Sequence, residues 1–313
     1  MRSRRFDKAI SIVIYAAVVF AFFIWFVAYQ NANASLKDGQ AQLSFLDVGQ
    51  ADCAILNLPN SVQVVIDTGR DASVVSKVAA KMPTFDKKIE YVMLSHPDSD
   101  HVGGFDALSQ SYEIGEVIRS SADSDSKTWQ KIVTDIKEKN IRDEIVGAND
   151  EVYISANTKF HILWPARSAS SLPEVATTLQ AGTADAGRPN NSTNLSSNNS
   201  SIVANLSVGS SRAIFMGDAE NEAQNGILSS QKSDDLMAQI IKVSHHGSIN
   251  GLNQDLLKSI KPQFAIVSVG KNSYGHPSDT VLSAFTNLGI QYFRTDKVGA
   301  IDFVSNGEVW TKK

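Results

Sequence analysis

A short stretch at residues 95–104, reading SHPDSDHVGG, limits what this 313-residue chain can fold into more than any other feature. It holds two histidines and two aspartates within six positions, and all four are able to bind a metal ion. Ionised carboxylates and imidazoles are costly to bury without partners, so an accidental polar turn explains this density poorly. The stretch follows an apolar run at residues 89–94 that predicts a strand. We therefore expect a strand-end loop that presents these side chains to cations.

The spacing within this loop favours two cations rather than one. A loop at a strand end can direct His96 and Asp98 toward one point and Asp100 with His101 toward a second. Two such points suit a pair of divalent ions that share an attacking water. Because Asp98 adds a hard oxygen ligand, the set shifts the metal preference toward Mn²⁺ while still admitting Zn²⁺.

Further metal-competent side chains follow predicted strands in the second half of the chain. These are Asp218, His245, His246 and His276. In α/β proteins the strand ends converge on one edge of a sheet, where sites are usually built. Taken alone, Asp218 is better explained as the N-cap of a helix, so its role as a ligand depends on the other residues. The sequence thus predicts one site assembled from distant segments.

The pattern of the remaining chain predicts an α/β sandwich. Short β-branched runs alternate with helical spacings, and no internal repeat of fixed period is present. We expect one domain over residues 40–313, with a flexible Ser- and Asn-rich insertion at about 166–200. A single cysteine excludes an internal disulfide and thiolate zinc ribbons.

The N-terminal segment predicts a single-pass membrane anchor. Residues 9–29 are 21 positions without a charge, enough at 1.5 Å per residue to cross about 30 Å of hydrocarbon. Four basic residues precede this run, and the positive-inside rule keeps them cytoplasmic and places the following domain outside the cell membrane. We interpret residues 1–34 as a basic stub and transmembrane signal anchor. The small-residue signal at residues 32–34 leaves a cleaved signal peptide, and hence a secreted protein, as the alternative.

The charge distribution argues against a broad nucleic-acid-binding surface. The chain carries a net charge of −4, and because residues 1–34 contribute +3, the rest carries −7. Neutralisation of phosphates dominates nucleic-acid affinity, so any basic surface must be local. Exposed lysines are more often only solubilising, but six basic residues are candidates for a local patch: Arg70, Lys77, Lys81, Lys87, Lys88 and Lys271.

These motifs together resemble a known family. The series HxDxDH, GD, HHG and GHP is similar to the motifs of the metallo-β-lactamase superfamily, whose hallmark is HxHxDH. The segments FLDVGQAD, IDTG, FMGDAE, KVSHHGS and VSVGKNSYGHP further resemble the extracytoplasmic hydrolase domain of ComEC-type competence proteins and its stand-alone relatives. The resemblance runs from about residue 43 to 304 and leaves out their multi-helix channel, so a separate uptake channel is an expected partner.

The resemblance implies a four-layer αββα sandwich with two metal sites at its edge. It implies six metal ligands: His96, Asp98, Asp100, His101, Asp218 and His276. Of these, His96 and Asp98 would bind the ion at site one, and Asp218 would bridge the two ions. Asn198 or Asn199 stands where the superfamily usually has a third histidine, so His245 or water would complete site one. Asp67 is expected to orient a ligand histidine.

The implied function is a dinuclear phosphodiesterase or nuclease that acts on DNA during uptake. Two divalent cations, Zn²⁺ or Mn²⁺, lower the pKa of a shared water from about 15.7 toward neutrality. Asp100 would hold this water in line, and His245 or His246 would contact a phosphoryl oxygen or protonate the leaving group. DNA as the substrate rests on the resemblance alone. Two alternatives stay open: a phosphoesterase acting on a small or cell-wall phosphoester such as phosphorylcholine, and an inactive surface module that binds DNA or a partner.

Overall fold

A computed structural model describes residues 12–26, 36–37, 39–167 and 195–313 of the chain. The predicted insertion at about 166–200 falls mostly outside the described residues, as do residues 1–11 and 27–35. The division into residues 1–34 and 40–313 therefore stays a prediction.

Two β-sheets contain all the strands of the described residues. The strands are β1 (Ala41–Phe45), β2 (Ala54–Leu58), β3 (Val62–Ile66), β4 (Lys88–Leu94), β5 (Glu113–Arg119), β6 (Arg142–Ile145), β7 (Glu151–Ser155), β8 (Thr158–Trp164), β9 (Val203–Val208), β10 (Ser211–Phe215), β11 (Ile240–Lys242), β12 (Phe264–Val267), β13 (Gln291–Arg294), β14 (Ile301–Ser305) and β15 (Trp310–Lys312). One sheet has the order β15-β14-β1-β2-β3-β4-β5-β6 and the other β13-β12-β11-β10-β9-β8-β7. Strands β3 to β6 run parallel to one another, and so do β10 to β13.

The helices of the described chain connect successive strands, apart from the first helix, which precedes them all. They are α1 (residues 12–26), α2 (Val74–Ala79), α3 (Ser99–Val102), α4 (Phe105–Ser111), α5 (Lys127–Glu138), α6 (Asn221–Ser230), α7 (Ser233–Leu236), α8 (Gln254–Ile260), α9 (Asp279–Asn287) and α10 (Thr295–Val298). Helix α5 shows how the sequence sets such an element. The hydroxyl of Ser126 accepts a hydrogen bond from the backbone N–H of Trp129 and caps the helix. The helical spacing then buries Trp129, Ile132 and Ile136 on one face.

Apolar side chains fill the space between the sheets and both outer faces. Phe45 of the first sheet stacks on Phe215 of the second, with ring centroids 5.8 Å apart. On the outer face of the first sheet, the strands pack against buried residues of α2, α4 and α5. On the outer face of the second sheet, they pack against α6, α8 and α9. The predicted α/β fold with two stacked sheets is thus confirmed.

The predicted single-pass membrane localisation is wrong. Helix α1 covers residues 12–26 of the proposed span at residues 9–29. In the described part of the chain, no helix combines the length and the apolarity needed to cross a membrane. This finding overturns the single-pass localisation with an extracytoplasmic domain.

The carboxyl ends of the parallel strands in the two sheets meet at one edge of the sandwich. The backbone N–H of Ile202, just before β9, donates to the carbonyl of Ser95, just after β4, at 2.8 Å. This hydrogen bond ties the first sheet to the second where their strands end. The loops at this edge carry the predicted site.

Candidate metal centre

The loop after β4 brings two histidines side by side. His96 leaves the strand directly, and His101 lies one turn into α3, where its backbone N–H donates to the carbonyl of Asp98 at 2.9 Å. Both imidazoles are buried, and their ring centroids are 4.1 Å apart. The side chain of Asp98 points further outward and is 42% exposed.

The second sheet supplies a buried carboxylate that faces these rings. Asp218 follows β10 through Gly217, whose φ of +50° favours glycine. A Cβ atom at Gly217 would lie 2.8 Å from the Cβ of Ser201, so the close approach also requires glycine. Asp218 Oδ1 lies 3.1 Å from His101 Nε2.

Three donor atoms converge on one point without hydrogen-bond partners. His96, His101 and Asp218 offer ligand atoms within 4.8 Å of one another, and His96 Nε2, His101 Nε2 and Asp218 Oδ1 are buried and make no hydrogen bond. Buried polar atoms are rarely left in this state, because the loss of hydration is not compensated. Two imidazoles and a carboxylate are a donor set that Zn²⁺ and Mn²⁺ accept. These residues therefore fit a divalent cation.

A second group of donors adjoins the first. Asp100, His101 and His246 also present ligand atoms within 4.8 Å of one another. His246 Nε2 lies 3.4 Å from Asp100 Oδ2 and 3.9 Å from Asp218 Oδ2. The carboxylate of Asp218 thus lies between the two groups, with one oxygen toward each.

The turn after β11 directs two histidines into the site. His245 and His246 have φ values of 47° and 53°, in the left-handed region that non-glycine residues seldom adopt. Strain of this kind persists where the surrounding structure enforces it, often at functional sites. His246 Nδ1 donates to the carbonyl of Ser268 at 2.9 Å, which turns Nε2 toward Asp100. His245 Nε2 lies 3.8 Å from Asp218 Oδ2.

Asp67 contacts one of the histidines, and its role in orienting that ligand stays a prediction. It follows β3 and accepts hydrogen bonds from the backbone N–H and the hydroxyl of Ser95, both at 2.8 Å. Its Oδ2 is also 2.8 Å from His101 Nδ1. When Nδ1 donates to Asp67, Nε2 of His101 faces Asp218 as an unprotonated donor for a cation.

The sequence analysis missed a buried ion pair beneath the histidines. Lys242 in β11 pairs with Asp52, and both side chains are almost fully buried. Asp52 Oδ1 also lies 3.3 Å from His246 Nδ1, and Asp52 Oδ2 lies 3.7 Å from His101 Nδ1. The signal was present in the sequence, because a lysine inside the apolar run IIKV needs a partner once the strand is buried.

The electrostatics of the cluster keep the carboxylates ionised. Burial raises the pKa of Asp218, but His101 and His246 outweigh it and hold that pKa well below its ordinary value. Burial likewise opposes ionisation of Asp52, whose pKa is nevertheless lowered by Lys242 and the two histidines. Burial lowers the pKa of His246, yet Asp218 and Asp52 raise it to about 9. Asp52 and Asp218 are therefore ionised, and an ionised Asp218 is able to bind a cation.

Several predicted residues lie at the margin of these groups. His96 Nε2 is 3.6 Å from Asp98 Oδ2, and the ring of His276 is 5.3 Å from that of His245. Asn198 donates to Glu220 Oε1 at 3.2 Å, and Glu220 also contacts His245 Nδ1 at 3.1 Å. Over residues 39–167 and 195–313, the groups of histidine and carboxylate donors within 4.8 Å do not include Asp98 or His276. Their assignment as ligands stays a prediction.

Asn199 lies at the start of helix α6. Its Oδ1 accepts from the backbone N–H groups of Glu220 at 3.0 Å and Ala223 at 3.3 Å, at the start of α6. Its amide donates to Glu222 at 3.1 Å. Asn199 thus caps a helix rather than facing the donor groups.

Comparison with known proteins gives relatives over most of the chain. The chain is 26% identical over 290 residues to ComE operon protein 3 of Bacillus subtilis, covering 87% of this chain and 34% of that protein. It is 22% identical over 282 residues to competence protein ComA of Neisseria gonorrhoeae, covering 89% and 34%. Recombination protein 2 of Haemophilus influenzae is 25% identical over 246 residues, covering 77% and 26%. The chain thus spans about a third of the length of these curated relatives, or less.

Solved structures and a family model agree on the fold. The metallo-β-lactamase fold protein YhfI from Bacillus subtilis aligns with a TM-score of 0.52 at 10% identity, over 86% of this chain and 100% of that one. CmlA, a diiron β-hydroxylase from Streptomyces venezuelae, aligns with a TM-score of 0.50 at 11% identity, over 84% and 53%. At such identities these likenesses show the fold alone. The model of the metallo-β-lactamase superfamily matches residues 46–271. Since this match covers well over half of the sequence, the chain belongs to the metallo-β-lactamase superfamily.

Proposed function

We propose that this protein is a metal-dependent hydrolase that uses two divalent cations to cleave phosphodiester bonds, with DNA as its substrate. The convergence of three buried donor residues, His96, His101 and Asp218, whose facing atoms make no hydrogen bond, carries the proposal. The adjoining donors of Asp100 and His246 provide for a second ion, with Asp218 shared between the two. The competence and recombination proteins among its relatives support a DNA substrate.

The residues of this chain have separable roles in such a reaction. When bound, the two ions would supply a water of lowered pKa and positive charge for the phosphodiester oxygens. The carboxylate of Asp100 is 22% exposed, so one side of it can accept a hydrogen bond from the attacking water. His246 Nε2 lies 3.4 Å from that carboxylate, and both groups would hold the second ion.

His245 is the candidate proton donor to the leaving oxygen. Its side chain is 24% exposed, and its Nδ1 lies 3.1 Å from Glu220 Oε1. The Glu220 contact fixes the ring and leaves Nε2, near Asp218, as the atom that would hand over a proton. Asp98 and His276, at the margin of the donor groups, would complete the coordination of the two ions.

The test uses the full chain loaded with Mn²⁺ or Zn²⁺. We expect close to two equivalents of metal, and hydrolysis of bis(4-nitrophenyl) phosphate and of single-stranded DNA that a chelator abolishes. Asp100→Asn should lose more than tenfold in turnover, because the carboxylate that orients the water becomes neutral. Asp143→Asn is the matched control, since Asp143 pairs with Arg119 on the surface of β6.

Two outcomes would contradict the proposal. A fully metal-loaded protein that cleaves no phosphodiester would exclude the activity. A protein that binds no metal but retains DNA would instead favour the binding-module alternative.

A further inference from the structure

A groove of about 420 Å³ opens beside the metal centre. Six residues line it: Gln50, Arg70, Lys271, Asn272, Ser273 and Tyr274. Its volume falls in the roughly 300–1,000 Å³ range of small-ligand sites. Arg70 and Lys271, two of the six basic residues considered as a local patch on sequence grounds, meet here. By contrast, Lys81 is paired with Asp302 at 2.7 Å, away from this groove.

The groove is continuous with the donor groups of the metal centre. On one wall, Arg70 Nη2 lies 3.7 Å from Asp100 Oδ2. On the other wall, the ring of Tyr274 lies 5.7 Å from the ring of His276. A ligand whose reacting group sits at the metal centre would therefore extend directly into this groove.

The backbone of the groove is held in place by close packing and hydrogen bonds. A Cβ atom at Gly270 would lie 2.4 Å from the carbonyl carbon of Gly49, and the Gly270 N–H donates to Gln50 Oε1 at 3.2 Å. Asn272 Oδ1 accepts from the N–H groups of Tyr274 and His276, both at 3.1 Å. The loop is thus fixed, while the side chain of Tyr274 remains 69% exposed.

The chemistry of the groove points to an anion joined to a flat aromatic group. Arg70 and Lys271 provide two cations, and Tyr274 provides an exposed aromatic face. A quaternary ammonium ligand such as phosphorylcholine would be repelled by the two cations. A nucleotide carries both a phosphate and a planar base, and it matches the groove on both counts.

We propose that this groove binds the nucleotide next to the scissile phosphate of a single DNA strand. Arg70 and Lys271 hold its phosphate, and Tyr274 stacks on its base. The base must be unstacked to reach Tyr274, so a single strand is bound in preference to a duplex. This inference rests on the proposed phosphodiesterase function, because the groove is assigned relative to that site.

The test compares a substrate that fills the groove with one that does not. The quantity is the kcat/KM for a single-stranded oligonucleotide divided by the kcat/KM for dimethyl phosphate, a small diester without an aromatic group. We expect this ratio to fall about tenfold in Tyr274→Ala, the size of effect expected for one stacked base. Tyr274→Trp should restore the ratio, because stacking needs only an aromatic face. The matched control is Tyr153→Ala, since Tyr153 on β7 is 66% exposed and does not line the groove.

The outcomes separate this inference from the proposed function. An unchanged ratio in Tyr274→Ala would overturn the inference. Equal kcat/KM for a duplex and a single strand of the same sequence would overturn it as well. A metal-loaded wild type that cleaves neither substrate would instead refute the proposed function.

Discussion

The floor of the site and its rim differ in how their charges are held. The floor consists of Asp52, Asp67 and Lys242, which are buried and closely paired with their neighbours. The rim consists of Arg70, Lys271 and Tyr274, and the Arg70 side chain is 51% exposed. Charges attract strongly where water is excluded and weakly where it is not. The floor is therefore expected to control stability and metal binding, and the rim to control which substrate is retained.

The largest effect is expected from the buried cation of the floor. Lys242→Met should lower the free energy of unfolding by about 3–5 kcal/mol, because it leaves Asp52 buried without its partner. The additional change Asp52→Asn should recover part of the loss. Urea unfolding of the metal-free protein measures both.

A second Lys–Asp pair provides the control for this prediction. Lys81 and Asp302 lie 2.7 Å apart but are partly exposed, so Lys81→Met should cost about 1 kcal/mol or less. Equal losses for Lys242→Met and Lys81→Met would remove the distinction between a buried floor pair and an exposed one.

The next effect concerns the carboxylate that orients His101. Asp67→Asn should weaken metal binding about 10–100-fold, because the hydrogen bond at 2.8 Å no longer fixes the imidazole against a negative charge. Competition with a chelating dye measures the affinity. Asp106→Asn is a suitable control, since Asp106 pairs with Lys131 on the surface. An affinity unaltered by Asp67→Asn would show that Ser95 alone orients the ring.

Glu116, a buried carboxylate outside the site, shows how the pKa of a buried acid behaves without a buried cation such as Lys242. Burial, and then the neighbouring Glu144, raise the pKa of Glu116 to about 7, whereas the pKa of Asp52 is lowered. Arg142, the ion-pair partner of Glu116, lies 3.2 Å from it. The side chain of Arg142 is 73% exposed, whereas that of Glu116 is only 9% exposed. A buried acid is thus kept ionised by a buried cation and not by an exposed one.

The raised pKa of Glu116 makes the stability of the folded protein depend on pH. Glu116 holds its proton in the folded state, so its contribution to stability is present below pH 4.5 and is lost as the pH rises through about 7. Glu116→Gln should therefore stabilise the protein by about 1–3 kcal/mol at pH 8 and have little effect at pH 4.5. Thermal unfolding at the two pH values checks it. Destabilisation at pH 8 would mean that Arg142 compensates for the buried charge.

The smallest effect is expected at the rim. Lys271→Ala should leave the unfolding free energy unchanged and reduce the salt dependence of oligonucleotide binding. For single strands, the slope of log K against log salt should become less negative by about 0.7, because one phosphate is no longer neutralised. Lys77→Ala removes the same charge from the exposed side of α2 and should leave the slope as it is. Equal slopes for wild type and Lys271→Ala would exclude Lys271 from phosphate binding in the groove.

Local parts of the site were predictable from the sequence. His96 and His101 are five positions apart on one strand-end loop, so their proximity follows from a few backbone angles. Asp218 and His246 were expected at the same edge because both follow parallel strands. The predicted single-pass localisation was wrong, because no helix in the described part of the chain is both long and apolar enough to cross a membrane.

The exact partners of each side chain depend on the tertiary structure. The sequence analysis treated His276 as a ligand and gave His245 or His246 a contact to a phosphoryl oxygen or a proton transfer to the leaving group. In the structure, His246 Nε2 lies 3.4 Å from Asp100 Oδ2. Its direction is set by consecutive left-handed residues and by the carbonyl of Ser268, and no residue pattern announces either one. Asn199 illustrates the same point, because its amide caps α6 instead of facing the donors.

The residue pattern alone showed which side chains lie at the shared strand edge. The alternation of side chains along a strand and the position of the short loop after it depend only on residues that are neighbours in the sequence. The pairing of Asp52 with Lys242, far away along the chain, and the meeting of Arg70 and Lys271 in one groove required the folded chain. The physical reason is that burial and charge pairing depend on the distances between packed sheets. These distances arise only when the whole core has formed.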